Sequence, residues 1–353
     1  MKIAYIAYWD VSQESGVLKK IVTQLRNWCD EGHTVKLFIQ SFVLDVWSGL
    51  QDLSVEVVPA GKAWKQFSQV AELVKQVVAW QPDLVYWRFD RFYPATEKMM
   101  TRIPTVLEIN TNDLTEYRLS RGLLAYWYQR LTRSRILSKA SGIVSVTHEL
   151  STSFASFDRP SLVLANSIDL SQYPQLPAPQ NSNTRLVFIG SPGLPWHGVD
   201  KVVWLAKQFP EWQFDLIGLQ STDLTEHPIN IATHGILHRT EYEAIVTQAD
   251  IAIGTLALYE KSMHEACPLK VREYLAYGLP TIIAYHETDF SKQVPFILQL
   301  PNTRTNVIDH RSTIKQFVDE SKNNRVPRSE IAHLDTRYKE KQRLEFFSRL
   351  SNQ

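Results

Sequence analysis

Short apolar runs rich in β-branched and aromatic residues alternate with longer stretches of helical spacing, and the alternation occurs twice along the chain. Lys2 to Tyr8, His33 to Gln40, Asp83 to Arg88, Pro104 to Ile109 and Gly142 to Thr147 each read as a buried strand. Between them lie stretches such as Val17 to Cys29, whose Val17, Leu18, Ile21, Val22, Leu25 and Trp28 recur at helical spacing. Strands that alternate with helices predict a parallel sheet covered on both faces. The pattern restarts at Arg185 to Gly190 and continues through Phe214 to Gly218, Ile229 to Gly235, Asp250 to Thr255 and Pro280 to Tyr285. Before the restart, Ser171 to Thr184 holds three prolines and no regular period, the composition of an interdomain linker. The expected organisation is a first domain over 1–168, a linker over 169–184 and a second domain over 185–335. That is an α/β chain of two tandem Rossmann-like, doubly wound domains facing a central cleft, where such sheets bind ligands at their carboxyl ends.

The 353 residues suit two cores rather than one. A net charge of +1 gives no reason to expect nucleic acid, and Cys29 and Cys267 lie too far apart to suggest a disulfide framework or a metal site. No metal or other cofactor is expected. No run approaches the roughly 18 apolar residues of a membrane span, and the N-terminus enters a strand directly, so the expected location is the cytoplasm.

The most informative motif is Glu265 to Pro280, EACPLKVREYLAYGLP. Proline suits a first helical turn, and Gly278 followed by Pro280 ends a helix, so a helix is predicted from about Pro268 to Tyr277. Its N-terminus, with unpaired amides and about half a unit of positive charge, suits a phosphate, and Lys270 and Arg272 lie beside it. Glu265 before the helix and Glu273 within it would take hydroxyls of the same ligand. The plain alternative is an amphipathic helix with two solvated glutamates.

This segment resembles the paired-glutamate motif of the retaining nucleotide-sugar glycosyltransferases of family 4, which have the GT-B fold. The resemblance implies that Glu265 contacts the donor sugar, that Glu273 binds the ribose, and that Lys270, Leu269 and the helix N-terminus hold the diphosphate. It also implies that the last segment, from residue 336 onward, returns to pack on the first domain. In the wider family the loop after the first strand of the second domain, here Phe188 to Val203, offers an arginine and a lysine to the diphosphate. Here Ser191 and His197 stand in those places, after Gly190. A histidine supplies charge only when protonated, so Lys270 and Lys201 are the candidates to replace the missing cations. The main chain from Gly235 to Leu237 is implied to bind the base.

Gly16, which opens the first helix after the DVSQESG loop, matches a family turn that approaches the donor phosphates or the acceptor, though a simple strand-to-helix turn explains it equally. Asn166 and Asp169 read as hinge residues at the domain junction. Glu108, Asn110, Asn112 and Asp113, at a strand end of the first domain, are acceptor-site candidates; the family often has a histidine near that strand end, and His148 with Glu149 is nearby in sequence but equally suits a cap of the following helix. From Tyr117 to His148 there is no Asp or Glu, while Arg118, Arg121, Arg130, Arg133, Arg135 and Lys139 stand among leucines and aromatics. Such a basic aromatic helix over 118–139 suits peripheral contact with an anionic membrane, and equally a helix packed on the sheet with a solvated face. The expected function is transfer of a sugar from a nucleoside-diphosphate-sugar donor to an acceptor hydroxyl with retention. The rivals are a catalytically silent relative that binds sugar nucleotides, and an epimerase or phosphorylase of the same fold.

Overall fold

The computed structural model describes residues 1–12, 14–61 and 64–351. The chain divides into two compact units: unit 1 is Met1–Ser167 with the C-terminal segment from Thr336, and unit 2 is Ile168–Asp335. The 169–184 stretch thus belongs to unit 2.

Unit 1 carries strands β1 (Lys2–Tyr8), β2 (Thr34–Ser41), β3 (Val55–Pro59), β4 (Leu84–Arg88), β5 (Thr105–Ile109), β6 (Gly142–Ser145) and β7 (Ser161–Val163). Its helices are α1 (Gly16–Asp30), α2 (Trp64–Trp80), α3 (Pro94–Met100), α4 (Asp113–Ser120), α5 (Leu123–Leu137) and α6 (His148–Phe154). All seven strands run parallel in the order β3-β2-β1-β4-β5-β6-β7. Ile3 to Ala7 are buried without alternation, as a parallel strand covered on both faces requires. Val55–Pro59 and Ser161–Val163, the two edges, are the strands that periodicity missed. Edge strands are short and half-solvated, and Pro59, which cannot donate to a ladder, is tolerated there.

Unit 2 carries β8 (Arg185–Ile189), β9 (Gln213–Ile217), β10 (Ile231–Gly235), β11 (Ile251–Ile253), β12 (Glu265–Ala266), β13 (Thr281–Ile283), β14 (His286–Glu287) and β15 (Ile297–Gln299). Its helices are α7 (Val199–Gln208), α8 (Arg239–Gln248), α9 (Leu269–Ala276), α10 (Asn306–Asp309) and α11 (Arg311–Ser321). Six strands form a parallel sheet ordered β10-β9-β8-β11-β13-β15, and β12 pairs with β14 apart from it. In each unit the winding reverses beside the first strand, β1 or β8, and ligands of such sheets bind at the carboxyl end of that switch point.

The last helix, α12 (Thr336–Ser351), is part of the unit 1 core. Phe347 is fully buried against Trp28 and Tyr86, with ring centroids 5.5 and 5.1 Å away. Glu340 accepts from Trp28 Nε1 at 2.8 Å and pairs with Arg343 at 2.7 Å, and Arg343 also bonds the Tyr86 hydroxyl. Removing one member of such a buried pair costs about 3–5 kcal/mol.

Candidate functional site

In unit 2, the predicted helix is α9. Pro268 precedes it at the N-cap, and Gly278 beyond it takes a φ of +80° that stops it. Lys270 and Tyr274, one turn apart on one face, both reach Ile189, the last residue of β8. Lys270 Nζ donates to its carbonyl at 3.1 Å, and its amide donates to the Tyr274 hydroxyl at 2.6 Å. These bonds set the first turn of α9 against the β8–α7 loop, which holds Gly190, Ser191 and His197. The loop is latched in turn by amides of Leu256 and Ala257 bonded to the carbonyls of His197 and Trp196. Gly218, with φ +82°, lies under it, and a Cβ there would come within 2.2 Å of the Gly190 carbonyl oxygen. Only glycine leaves that carbonyl in place.

The structure therefore brings Gly190, Ser191, His197, Leu269 and Lys270 together. Burial drives the Lys270 ammonium down to about 7 from an ordinary 10.5. The ammonium lies 4.3 Å from the centre of the Phe188 ring, and no carboxylate bonds to it among the described residues. Lys270 as a residue is half-buried. The first two amides of α9, on Leu269 and Lys270, precede the first intrahelical bond, which Val271 donates to Pro268.

One turn further, Glu273 Oε1 accepts from the Tyr242 hydroxyl at 2.5 Å, and the Tyr173 hydroxyl also bonds this carboxylate. Burial raises both tyrosines, and the Glu273 charge adds to the effect. Arg239 stacks 3.9 Å over Tyr173 and donates to the Tyr277 hydroxyl at 3.1 Å. Glu273 is thus a half-buried carboxylate oriented by phenols, a feature no spacing rule could reveal. Glu265 lies half-buried on β12, in register with His286 of β14.

Of the side chains expected beside the diphosphate, Lys201 and Arg272 spend their charge on internal partners, and His197 carries none. Lys201, on the first turn of α7, is buried, and its ammonium donates to Leu256 O at 3.0 Å, Thr303 O at 2.7 Å and Asn306 Oδ1 at 2.7 Å. It ties α7 to α10. Arg272 is fully buried and bridges Glu287 at 2.6 Å and Asp289 at 2.8 Å. Burial, reinforced by Lys270 and Lys261, pushes His197 down to about 3, so it is a neutral imidazole. Its Nδ1 accepts from the Ser191 amide at 3.3 Å, which shapes the loop. A lysine or arginine at the right spacing does not reveal which internal partners will claim it.

In unit 1, a cavity of about 350 Å³ opens at the carboxyl ends of β1, β2, β4 and β5. Trp9, Phe42, Arg88, Asp90, Asn110 and Arg121 are among its walls. Of the four acceptor candidates, Asn110 and Asp113 line this cavity, and Asn110 keeps a donor for a ligand. Its Oδ1 accepts from Lys20 Nζ at 2.9 Å, while its buried Nδ2 has no bonding partner among the described residues. Gln40 Nε2, on another wall, is likewise buried and unpaired. A buried amide donor without an acceptor is costly, and a ligand oxygen would relieve it.

The other candidates have internal roles. Glu108 is buried and accepts from Lys20 at 2.6 Å and the Tyr5 hydroxyl at 2.8 Å, with Arg88 3.6 Å away. Burial alone would raise its carboxyl, but Lys20, Arg88 and Arg343 override that and hold it well below the carboxylate range. Asn112 caps α4 by accepting from the Thr115 amide, and Asp113 pairs with Arg133 at 2.8 Å. Thr147 rather than His148 caps α6, accepting from the Leu150 amide at 3.1 Å. Gly16 begins α1, whose cap is Ser15. At the junction, Asp169 accepts from the Ser171 amide and hydroxyl, a local turn. Among the described residues, no group of three His, Cys, Asp or Glu could hold a metal ion, and no helix is long and apolar enough to cross a membrane.

No protein-family model and no curated protein matches the chain. Solved structures do match over nearly their full length. HepE from Anabaena, in complex with UDP and glucose, superposes with a TM-score of 0.67 at 16% identity, covering 99% of each chain. The pneumococcal O-GlcNAc transferase GtfA, in complex with UDP and GlcNAc, gives 0.70 at 11% identity, covering 100% of this chain and 98% of that one. The lipopolysaccharide outer core galactosyltransferase WaaB gives 0.68 at 13% identity, covering 99% and 100%. With its two parallel sheets of seven and six strands, each flanked by helices, the chain has the GT-B fold.

Proposed function

We propose that this chain is a retaining glycosyltransferase that moves a sugar from a nucleoside-diphosphate donor to an acceptor hydroxyl. The observation that carries the reading is Lys270: a desolvated ammonium without a carboxylate, at the N-terminus of a helix pinned to the switch-point strand of unit 2. Such a charge is costly until an anion meets it. A diphosphate against Lys270 and the amides of Leu269 and Lys270 supplies that anion without a metal. Glu273, held by Tyr242 and Tyr173, offers its remaining lone pairs to the ribose hydroxyls, and Glu265 positions the donor sugar. Gly190 lets the main chain approach the phosphates. UDP is the nucleotide of choice, because structures of the same fold hold it.

The unit 1 cavity takes the acceptor, with Asn110 and Gln40 donating to its oxygens. In the reaction the bond from the anomeric carbon to the diphosphate oxygen breaks. A bond to the acceptor oxygen forms on the same face, and the acceptor proton passes to a leaving-phosphate oxygen. No residue is assigned as a covalent nucleophile.

The test is a melting and turnover screen with UDP-, GDP- and ADP-sugars. A sugar nucleotide that binds the folded state raises the melting temperature by mass action, and the native chain should release free nucleotide where Glu265→Gln and Glu273→Gln do not. Absence of any shift at millimolar donor would sink the proposal. A second reading, a silent binding subunit, draws on the neutral His197 and uncharged Ser191 of the β8–α7 loop; tight binding without nucleotide release would favour it.

A further inference from the structure

The α4–α5 corner of unit 1 presents apolar side chains to solvent and has basic ones around them. Leu124 is 90% exposed, Leu131 73% and Leu123 69%, and Leu119 and Trp127 are also more than half exposed. On α5 these fall at positions 123, 124, 127 and 131, one stripe of the helix. The inward face is a different one, carrying Gln129, Ile136 and Leu137.

The structure also sorts the basic residues of this segment. Arg133 turns inward to Asp113, while Arg135 and Lys139 both clamp Glu97, at 2.6 and 2.9 Å. Arg118, Arg121 and Arg130 have no carboxylate partner among the described residues, and all three are exposed. Arg130 instead lies 5.9 Å from the Trp127 ring, inside the apolar stripe. No acidic residue occurs from 117 to 148 to repel an anionic surface.

An exposed leucine and tryptophan ridge rimmed by unpaired arginines matches one partner in both terms: an interface of anionic lipid headgroups over acyl chains. We infer that the α4–α5 corner docks unit 1 on an anionic membrane surface, leucines among the acyl chains and arginines at the phosphates. A solvated helix face would not need five large apolar side chains together, and a protein partner of ordinary composition gives no reason for the lack of acidic residues. The inference stands without the transferase reading and extends it in one respect. Arg121 belongs both to this corner and to the cavity wall, so a membrane-docked chain would meet hydroxyl acceptors carried on lipids.

The test is co-sedimentation of the full chain with vesicles of phosphatidylcholine alone and with about a third phosphatidylglycerol. Native chain should pellet with the anionic vesicles, much less with the neutral ones, and progressively less as salt rises. Leu124→Glu with Leu131→Glu should weaken binding about tenfold or more, and Arg118→Glu with Arg130→Glu about fivefold per arginine. Circular dichroism checks that each variant is folded. The inference is overturned if native chain ignores anionic vesicles, if folded variants bind them as native does, or if the leucines instead hold a dimer that Leu124→Glu splits. Melting shifts with sugar nucleotide on the same preparations read the donor site independently, so either proposal can fail alone.

Discussion

Two lysines in unit 2 stand near the start of helices, Lys201 on α7 and Lys270 on α9, and burial lowers both, to about 8 and about 7. Their surroundings differ. Three oxygens receive the Lys201 ammonium, so its charge is spent on joining α7 to α10 and to the chain at Leu256 and Thr303. Lys270 has one carbonyl and an aromatic ring, and it lies beside a loop whose histidine is neutral. A depressed lysine is thus a sign of burial alone; a site is marked by depression together with missing partners. The same distinction separates Glu108, enclosed by Lys20, Arg88 and Arg343, from Asn110, which keeps an unpaired donor at the cavity two residues further on.

The contrast is most exposed to Lys270→Met and Lys201→Met. Loss of one preorganised charge on a developing anion typically lowers turnover about 10²- to 10³-fold, and that loss is expected in nucleotide release for Lys270→Met. Equal loss in a fully folded Lys201→Met would erase the distinction. For Lys201→Met the expected damage is to folding, at about 1–3 kcal/mol for an acceptor left unsatisfied: Thr303 O loses the Lys201 ammonium, while Leu256 O and Asn306 Oδ1 keep the Asn306 amide and the Val307 N–H. Chemical denaturation measures it, and an unchanged midpoint would contradict the tie between α7 and α10.

The pH dependence sharpens the comparison further. A sugar nucleotide bound at Lys270 favours the ammonium, so binding above pH 7 requires uptake of a proton. Donor affinity should be level below about pH 7 and fall as pH rises, approaching tenfold per unit. Titration calorimetry in buffers of different ionisation enthalpy would detect the proton, and a flat profile in native chain would remove Lys270 from the site. The stability of the ligand-free chain runs the other way. Between pH 7 and 10.5 the unfolded chain holds a proton on this lysine that the folded chain has released, so stability rises with pH through that window. Lys270→Met should therefore be stabilised relative to native chain at pH 6 and lose that advantage by pH 10. The smallest effect is expected for His197→Gln, less than about threefold in turnover, since a neutral imidazole already supplies no charge. A large loss would show that His197 does more than shape the loop.

Much of the architecture was legible because a covered parallel strand must be apolar on both faces and a helix on one, and both leave a period in the chain. β1, β2, β4, β5 and β8 were located within a residue or two in this way, and α9 by Pro268 at its start and Gly278 at its end. The edge strands Val55–Pro59 and Ile297–Gln299 were not, since a half-covered strand has no need of a continuous apolar run. For the site, the order of Glu265, Pro268, Lys270 and Glu273 specified a helix start with an amine and carboxylates around it. Covalent order and local backbone preference suffice for that. What only the tertiary structure decided is which charges were left over. Arg272 went to Glu287 and Asp289, Lys201 to Asn306 and two carbonyls, and Glu273 to Tyr242 and Tyr173, from partners up to 105 residues away. Desolvation and pairing are properties of the packed neighbourhood, and no spacing along one segment contains them.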